Sequence, residues 1–240
     1  MSNRTINEQL SDVYRDIQKC DLCPNMDREK ALRRQEAIDL NADVFIVSQA
    51  LAEKQMRKSG VNFFDENGKL GSTGKNLEAF LNLIGRTVYP PIDVALENGA
   101  TIPKRNANCK SVYNMEIAHC YPGKDKTKKG DRKPTAKEIK NCLSQGFLLG
   151  EIEIMKPKLL LLMGRTSRDT FYRFVMNSAH PGSINEHISK LVSDKKLPKH
   201  EFGNHTISVA PISHASGANP NFRDLMSNDI LIGLIKEALQ

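Results

Sequence analysis

Four of the chain's five cysteines occur in two pairs that could bind a metal centre. Cys20 and Cys23 lie in Lys-Cys-Asp-Leu-Cys-Pro, and Cys120 and Cys142 flank a lysine-rich loop. Four thiolates satisfy either a tetrahedral zinc ion or a 4Fe-4S cluster, and the spacing does not choose between them. Alternatively, the second pair consists of isolated core residues, because reduced cysteines are often buried. Cys109 has no motif near it, and we interpret it as a bystander.

The elements that must position these residues alternate between strands and helices. Apolar, β-branched runs predict strands at 42–48, 111–118, 157–163 and 205–211. Helical spacing predicts helices at 6–17, 77–84, 135–142, 165–175 and 222–239, and the polar segment 178–204 is predicted to be mainly loop. This alternation predicts one domain over residues 1–240, a three-layer α/β/α sandwich with a central parallel four-stranded sheet. Functional residues of such sheets gather at the carboxyl ends of the strands.

The charge of the chain favours an anionic partner. The formal net charge is +7 and the isoelectric point is about 9.1. Six cations lie in the loop between Cys120 and Cys142: Lys124, Lys126, Lys128, Lys129, Arg132 and Lys133. Tethered at both ends, this loop could neutralise phosphates of a nucleic acid, although a solvated lysine run is the simpler alternative. We therefore expect a nucleic-acid partner. We also expect the protein to act as a monomer.

The chain has no sequence signal for a membrane or for secretion. No run approaches the roughly 18 apolar residues that span a bilayer, and the polar first residues have no apolar stretch like that of a signal peptide. We therefore expect a cytoplasmic location and no membrane partner. In that reducing compartment, cysteines at motif-like spacing are more often metal ligands or redox groups than disulfides.

Further motifs follow the first cysteine pair in order. Gly74-Lys-Asn-Leu begins a helix, Cys120-Tyr-Pro opens the lysine-rich loop, and Pro134-Thr-Ala-Lys-Glu-Ile leads to Cys142. Lys156-Pro-Lys then precedes a Leu-rich strand and Gly-Arg-Thr. From the first cysteine to about Asn219, this order resembles the uracil-DNA glycosylase superfamily. It is most similar to the iron-sulfur branch, family 4, with a divergent first catalytic motif.

That resemblance implies an enzyme of base excision repair. Such an enzyme flips a deaminated base out of DNA, single-stranded DNA included, and hydrolyses its N-glycosidic bond. The resemblance also implies a 4Fe-4S cluster rather than zinc, bound by the four paired cysteines. The alternative function is a catalytically lost iron-sulfur protein of the same fold that binds nucleic acid. A zinc-stabilised protein without a nucleic-acid function would require the motif order to be coincidental.

The resemblance also assigns roles near the pocket. His214 lies in a segment similar to the family's His-Pro-Ser loop, which implies that it stabilises the leaving base. Ser216 and Asn219 of the same loop are candidate substrate-binding residues. Phe63 resembles the aromatic residue that stacks on the flipped base, and Phe64 is the alternative candidate for this role.

The departures from the family pattern fall where catalysis would occur. Where the family has Gly-Glu-Ala-Pro-Gly-Glu, this chain has Ser-Gln-Ala-Leu-Ala-Glu at 48–53. Gln49 can orient a water but cannot accept its proton, and Gln49 or Glu53 would position water or support the cationic sugar. Asn114 and Glu116 share a strand face, and Glu116 replaces the asparagine that recognises uracil. Glu116 would either supply the missing negative charge or disfavour uracil by repelling its carbonyl.

Overall fold

The computed structural model of the chain describes residues 4–27, 34–52, 59–127, 130–180, 182–216 and 219–240. The strands there are β1 (Val44–Ala50), β2 (Arg86–Thr87), β3 (Val94–Ala95), β4 (Thr101–Ile102), β5 (Lys110–Ser111), β6 (Tyr113–Ala118), β7 (Leu159–Met163), β8 (Lys199–Phe202) and β9 (His205–Ile212). The helices are α1 (Ile6–Lys19), α2 (Ser72–Asn82), α3 (Ala136–Ser144), α4 (Phe147–Met155), α5 (Arg165–Phe174), α6 (Ile184–Asp194), α7 (Pro220–Met226) and α8 (Asp229–Ala238), with a 3-10 turn at Gln35–Ala37. Glu53, Lys128 and Lys129 lie outside the described residues.

The central sheet has five strands in the order β6-β1-β7-β9-β8. The first four are mutually parallel, which confirms the predicted four-stranded parallel sheet. β8 adds an antiparallel edge strand beside β9. All five residues of β7 are buried, because helices cover both faces of the sheet.

The two faces of the sheet support separate hydrophobic cores. Along β1, Ile46 faces α2, α6, α7 and α8, whereas Phe45 and Val47 face α1, α3, α4 and α5. Successive side chains of a strand point to opposite faces, so one apolar strand contributes to both cores. This arrangement confirms the three-layer α/β/α sandwich.

The prediction of loop for 178–204 is wrong, because this segment contains α6 and β8. β8 alternates between exposed and half-buried residues, so a polar sequence suits it and leaves no apolar run to detect. α6 begins with a capping box formed by Ser183 and Glu186. The predicted helix at 222–239 is also divided in two, because the Asn228 side chain accepts the backbone N–H of Leu231 at 3.0 Å and starts α8.

Parallel pairing brings the carboxyl ends of β1, β6, β7 and β9 to one edge of the sheet. After β7 the chain turns into α5 at once, through Gly164 with a φ of 84°. Thr135 and Glu138 form the predicted capping box at the start of α3. Within the described parts of the chain, no helix is long and apolar enough to cross a membrane.

Candidate active site

An open cleft of about 460 Å³ lies at the carboxyl edge of the parallel strands. The structure brings five of the predicted catalytic and substrate-binding residues to its walls: Gln49, Phe63, Asn114, Glu116 and His214. They come from β1, from β6, from the segment after β9 and from the loop before α2. Side chains distant in sequence therefore meet at the edge where the sheet topology predicts a site.

His214 follows β9 and is oriented by its own loop. The backbone N–H of Ser216 donates to Nδ1 at 3.2 Å, and Nδ2 of Asn219 donates to the carbonyl oxygen of His214 at 3.0 Å. Ser216 and Asn219 thus contact the histidine instead of lining the cleft. Because Nδ1 accepts a hydrogen bond, the proton of the neutral ring lies on Nε2.

The environment of His214 favours the neutral ring. Although the residue is open to the cleft, the surrounding protein removes enough water to lower the pKa of the imidazole, and Lys133 lowers the pKa further. The ordinary value is 6.5, so the ring is neutral at pH 7. A neutral imidazole with its proton on Nε2 can donate a hydrogen bond to an atom that gains negative charge.

Phe63 is held in an unusual backbone conformation beside the cleft. Its φ is 71°, in the left-handed region, which costs a non-glycine residue about 1–2 kcal/mol. A Cβ added at Gly74 would lie 2.9 Å from Cβ of Phe63, so only glycine permits this approach of α2. Phe64 is 0% exposed and packs edge-on against Tyr89. Phe63 is itself only 6% exposed, and of the two phenylalanines it is the one that lines the cleft.

Glu116 forms a buried polar wall with two asparagines. Its Oε1 accepts a hydrogen bond from Nδ2 of Asn114 at 2.6 Å and from Nδ2 of Asn62 at 3.2 Å. Asn114 and Glu116 share the cleft-facing side of β6, as the alternation along the strand predicts. Sequence reasoning missed Asn62, although its position directly before Phe63 was a usable signal.

The lysine-rich loop contributes positively and negatively charged side chains to the rim of the cleft. Lys133 and Arg132 line the cleft, and so does Asp131, a carboxylate that sequence reasoning missed. Asp131 accepts hydrogen bonds from Nζ of Lys124 at 2.8 Å and from the Tyr121 hydroxyl at 2.9 Å. The loop is thus tied down by its own ion pair beside the cleft.

Arg132 connects this loop to α3. Its guanidinium donates to both carboxylate oxygens of Glu138, at 2.7 and 2.8 Å. Hydrogen bonds from Arg132 lower the pKa of Glu138 to about 2. Burial opposes this shift, and hydrogen bonds from Thr135 add to it. Lys133, the next residue, then faces the cleft beside His214.

The two cysteine pairs meet at a second, small cavity with apolar walls. Cys20 caps the end of α1, Cys120 lies just after β6, and Cys142 lies on α3. Together with Cys23, these residues line the cavity, and Cys109 does not. Among the residues that the structure describes, no group of three or more His, Cys, Asp or Glu side chains is arranged to hold a metal ion.

His119 is a buried residue that also lines this cavity. Its Nδ1 lies 3.4 Å from Sγ of Cys142, and its Nε2 lies 3.1 Å from Oε2 of Glu151. The Tyr113 hydroxyl donates to Oε1 of Glu151 at 2.6 Å and lies 2.5 Å from the Tyr14 hydroxyl. A buried hydrogen-bond chain therefore runs from Cys142 on α3 to Tyr14 on α1.

The charged groups of this buried hydrogen-bond network favour a thiolate at Cys142. Burial disfavours the cationic ring of His119, but Glu151 and Cys142 outweigh it and raise the pKa of the imidazole to about 10. Burial likewise disfavours the charged thiol, but hydrogen bonds from His119 lower the pKa of Cys142 below its ordinary value. The thiolate is the form of cysteine that binds metals.

One family model matches most of the chain. The model described as the Uracil DNA glycosylase superfamily covers residues 36–231. This range contains the described walls of the cleft and the second cysteine pair, and it begins after the first pair. No curated protein matches the chain.

Proposed function

The chain belongs to the uracil-DNA glycosylase superfamily, and we propose that it hydrolyses the N-glycosidic bond of a deaminated base in DNA. The observation that carries this proposal is the geometry of His214. A neutral imidazole, fixed by Ser216 and with its proton on Nε2, lies on the wall of a cleft at the carboxyl edge of the sheet. That position suits a base flipped out of the DNA stack.

His214 would stabilise the leaving base. As the glycosidic bond breaks, its electron pair moves to the base and negative charge develops on a carbonyl oxygen of the base. Nε2–H of His214 would donate a hydrogen bond to that oxygen. A single preorganised donor of this kind contributes about 10²–10³ in rate.

Phe63 and Gln49 would position the other partners. Phe63 would stack on the flipped base, and such stacking is worth about 1–3 kcal/mol per base. Its strained backbone supports this role, because left-handed non-glycine residues cluster at functional sites. Gln49 would orient the water that adds to the sugar cation. An amide cannot take the proton that this water releases, so the proton passes to the departed base anion.

We also propose that Cys20, Cys23, Cys120 and Cys142 bind a 4Fe-4S cluster, as in the iron-sulfur branch of the superfamily. The fit rests on the donor set, which is four cysteines around one apolar cavity. Around zinc, all four sulfurs would have to lie about 2.3 Å from one point. In a cluster each thiolate binds a different iron, so the sulfurs lie further apart. The bound group would supply a structural link between α1 and α3 beside the lysine-rich loop.

A base-release assay tests the enzymatic proposal. Oligonucleotides that carry uracil, hypoxanthine or xanthine, single- and double-stranded, are incubated with the purified protein and then cleaved at abasic sites with alkali. We expect cleavage at one or more of these bases, and a rate about 10²–10³ lower for His214→Ala. His200→Ala, on the edge strand β8, is the matched control and should keep the rate.

Salt-sensitive DNA binding without release of any base would overturn hydrolysis. It would favour the second candidate, an iron-sulfur nucleic-acid-binding protein that has lost catalysis. The observation that favours this second candidate is that position 49 holds an amide, Gln49, where the family has a carboxylate. Size-exclusion chromatography with light scattering tests the expected monomer.

Anaerobic purification tests the cluster separately. We expect a brown protein with about four irons and four sulfides per chain. Cys142→Ala should lose the colour and the iron, and Cys109→Ala should keep both, because Cys109 does not line the cavity. A colourless protein that contains zinc would contradict the proposal.

A further inference from the structure

Glu116 is a buried carboxylate on the wall of the cleft. We infer that Glu116 makes the cleft selective for hypoxanthine, the deaminated form of adenine, over uracil. This inference rests on the proposed glycosylase function and adds the identity of the base.

The structure fixes the position of this carboxylate. Glu116 is 1% exposed and pairs with Ser48 of the neighbouring strand β1. Amide hydrogens from Asn62 and Asn114 both point at its Oε1. Two donors and a strand backbone thus prevent the side chain from turning away when a base enters.

A carboxylate and its neighbouring amides select a particular pattern on the base. An ionised carboxylate only accepts hydrogen bonds, and it can accept about four. Among the residues that the structure describes, the amide nitrogens of Asn62 and Asn114 donate to this carboxylate. This wall therefore suits a base edge with an N–H group for Glu116 and one carbonyl oxygen for an amide.

Hypoxanthine has that edge, and uracil has one carbonyl too many. In hypoxanthine the N1–H group lies between the C6 carbonyl and the apolar C2–H. In uracil the N3–H group lies between two carbonyls, and xanthine repeats this pattern at N1–H. Whichever carbonyl of uracil or xanthine faces an amide, the other carbonyl would face a carboxylate oxygen of Glu116. Two buried acceptors without a proton between them repel each other.

The cleft also admits a bicyclic base. Its volume of about 460 Å³ lies within the range of small-ligand sites and exceeds what a pyrimidine needs. Guanine offers the same edge as hypoxanthine with an added donor. Flipping is easiest for a mismatched or damaged base, so a duplex restricts access by paired guanine.

Base preference in single-turnover kinetics tests the inference. Hypoxanthine and uracil are each placed opposite thymine in otherwise identical duplexes. We expect excision of hypoxanthine to be at least about tenfold faster than excision of uracil, because an unmatched buried acceptor costs this much or more. Glu116→Gln gives the wall a donor for the second carbonyl and should lower the ratio by about tenfold or more. The control Glu153→Gln, the same chemical change on the exposed side of α4, should leave the ratio unchanged.

Binding separates this inference from the proposed function. Kd values are measured with the same two bases on 2′-fluoroarabino sugars, which resist hydrolysis. If no base is excised, tighter binding of hypoxanthine that Glu116→Gln removes would retain the selectivity and overturn only the hydrolysis. Wild-type preference for uracil, or a ratio that Glu116→Gln does not change in a variant with the wild-type circular-dichroism spectrum, would overturn the inference. If Glu116→Gln does not fold, the wild-type ratio alone decides.

Discussion

Replacing Glu138 with glutamine should destabilise the junction between the lysine-rich loop and α3. Glu138 accepts two hydrogen bonds from Arg132 and one, at 2.7 Å, from the backbone N–H of Thr135. Glutamine can still cap the helix, but it cannot form the bidentate ion pair. The substitution therefore isolates the charge interaction.

The pKa of Glu138 sets the size of the effect. Arg132 is the main cause of its fall from 4.5 to about 2. One pKa unit corresponds to about 1.4 kcal/mol, so the ionised carboxylate contributes at most about 3 kcal/mol. The side chains of Arg132 and Glu138 are 24% and 11% exposed, so water weakens the pair, and we expect a loss of about 2 kcal/mol at pH 7.

The pH dependence follows from the direction of the shift. Since folding depresses the pKa of Glu138, its stabilisation is complete above the ordinary pKa of 4.5 and is lost as the pH falls towards about 2. The difference in unfolding free energy between wild type and Glu138→Gln should therefore shrink over that interval.

Urea unfolding at pH 7, 5, 4 and 3 measures this difference. Glu153→Gln, the same chemical change on the exposed side of α4, is the control and should alter stability by less than about 0.5 kcal/mol. A loss at pH 7 that equals the control, or a loss that stays constant down to pH 3, would refute the assigned ion pair.

Two further substitutions test the cleft and its basic rim. Gly74→Ala should slow base excision, because its Cβ would lie 2.9 Å from Cβ of Phe63 and displace the ring. Gly150→Ala, whose Cβ would meet only Val13 at 3.7 Å, should leave excision unchanged and raise stability by about 1 kcal/mol in thermal unfolding. Equal rates in both variants would contradict the role of Phe63. Lys133→Ala should reduce the slope of log K for DNA against log salt by about 0.7–0.9. In the same fluorescence titration, Lys236→Ala on α8 should leave the slope unchanged, and equal slopes would contradict a phosphate contact at Lys133.

The sequence predicted the parallel strands well because their surroundings demand an apolar pattern. β7 and the first four residues of β1 are buried, and every residue there is hydrophobic. β8 lacked this signal because it lies at the edge of the sheet and faces water. The division between α7 and α8 depends on one side-chain cap at Asn228, and helical periodicity alone does not reveal such a cap.

The site was predictable where a motif marked it. Gln49 on β1, Glu116 on β6 and His214 after β9 meet at one cleft, as the sheet topology implies. The contacts around them were not predictable, because they depend on tertiary packing. The clearest example is Asn62, which reaches Glu116 across 54 positions of sequence.

Detection of the released base tests the central proposal most directly. Under single-turnover conditions, mass spectrometry measures the free base from DNA that carries hypoxanthine or uracil, with wild type and with His214→Ala. We expect one free base per abasic strand from the wild type and a rate about 10²–10³ lower from the variant. Bound DNA with no free base, or equal rates in the two proteins, would contradict hydrolysis assisted by His214.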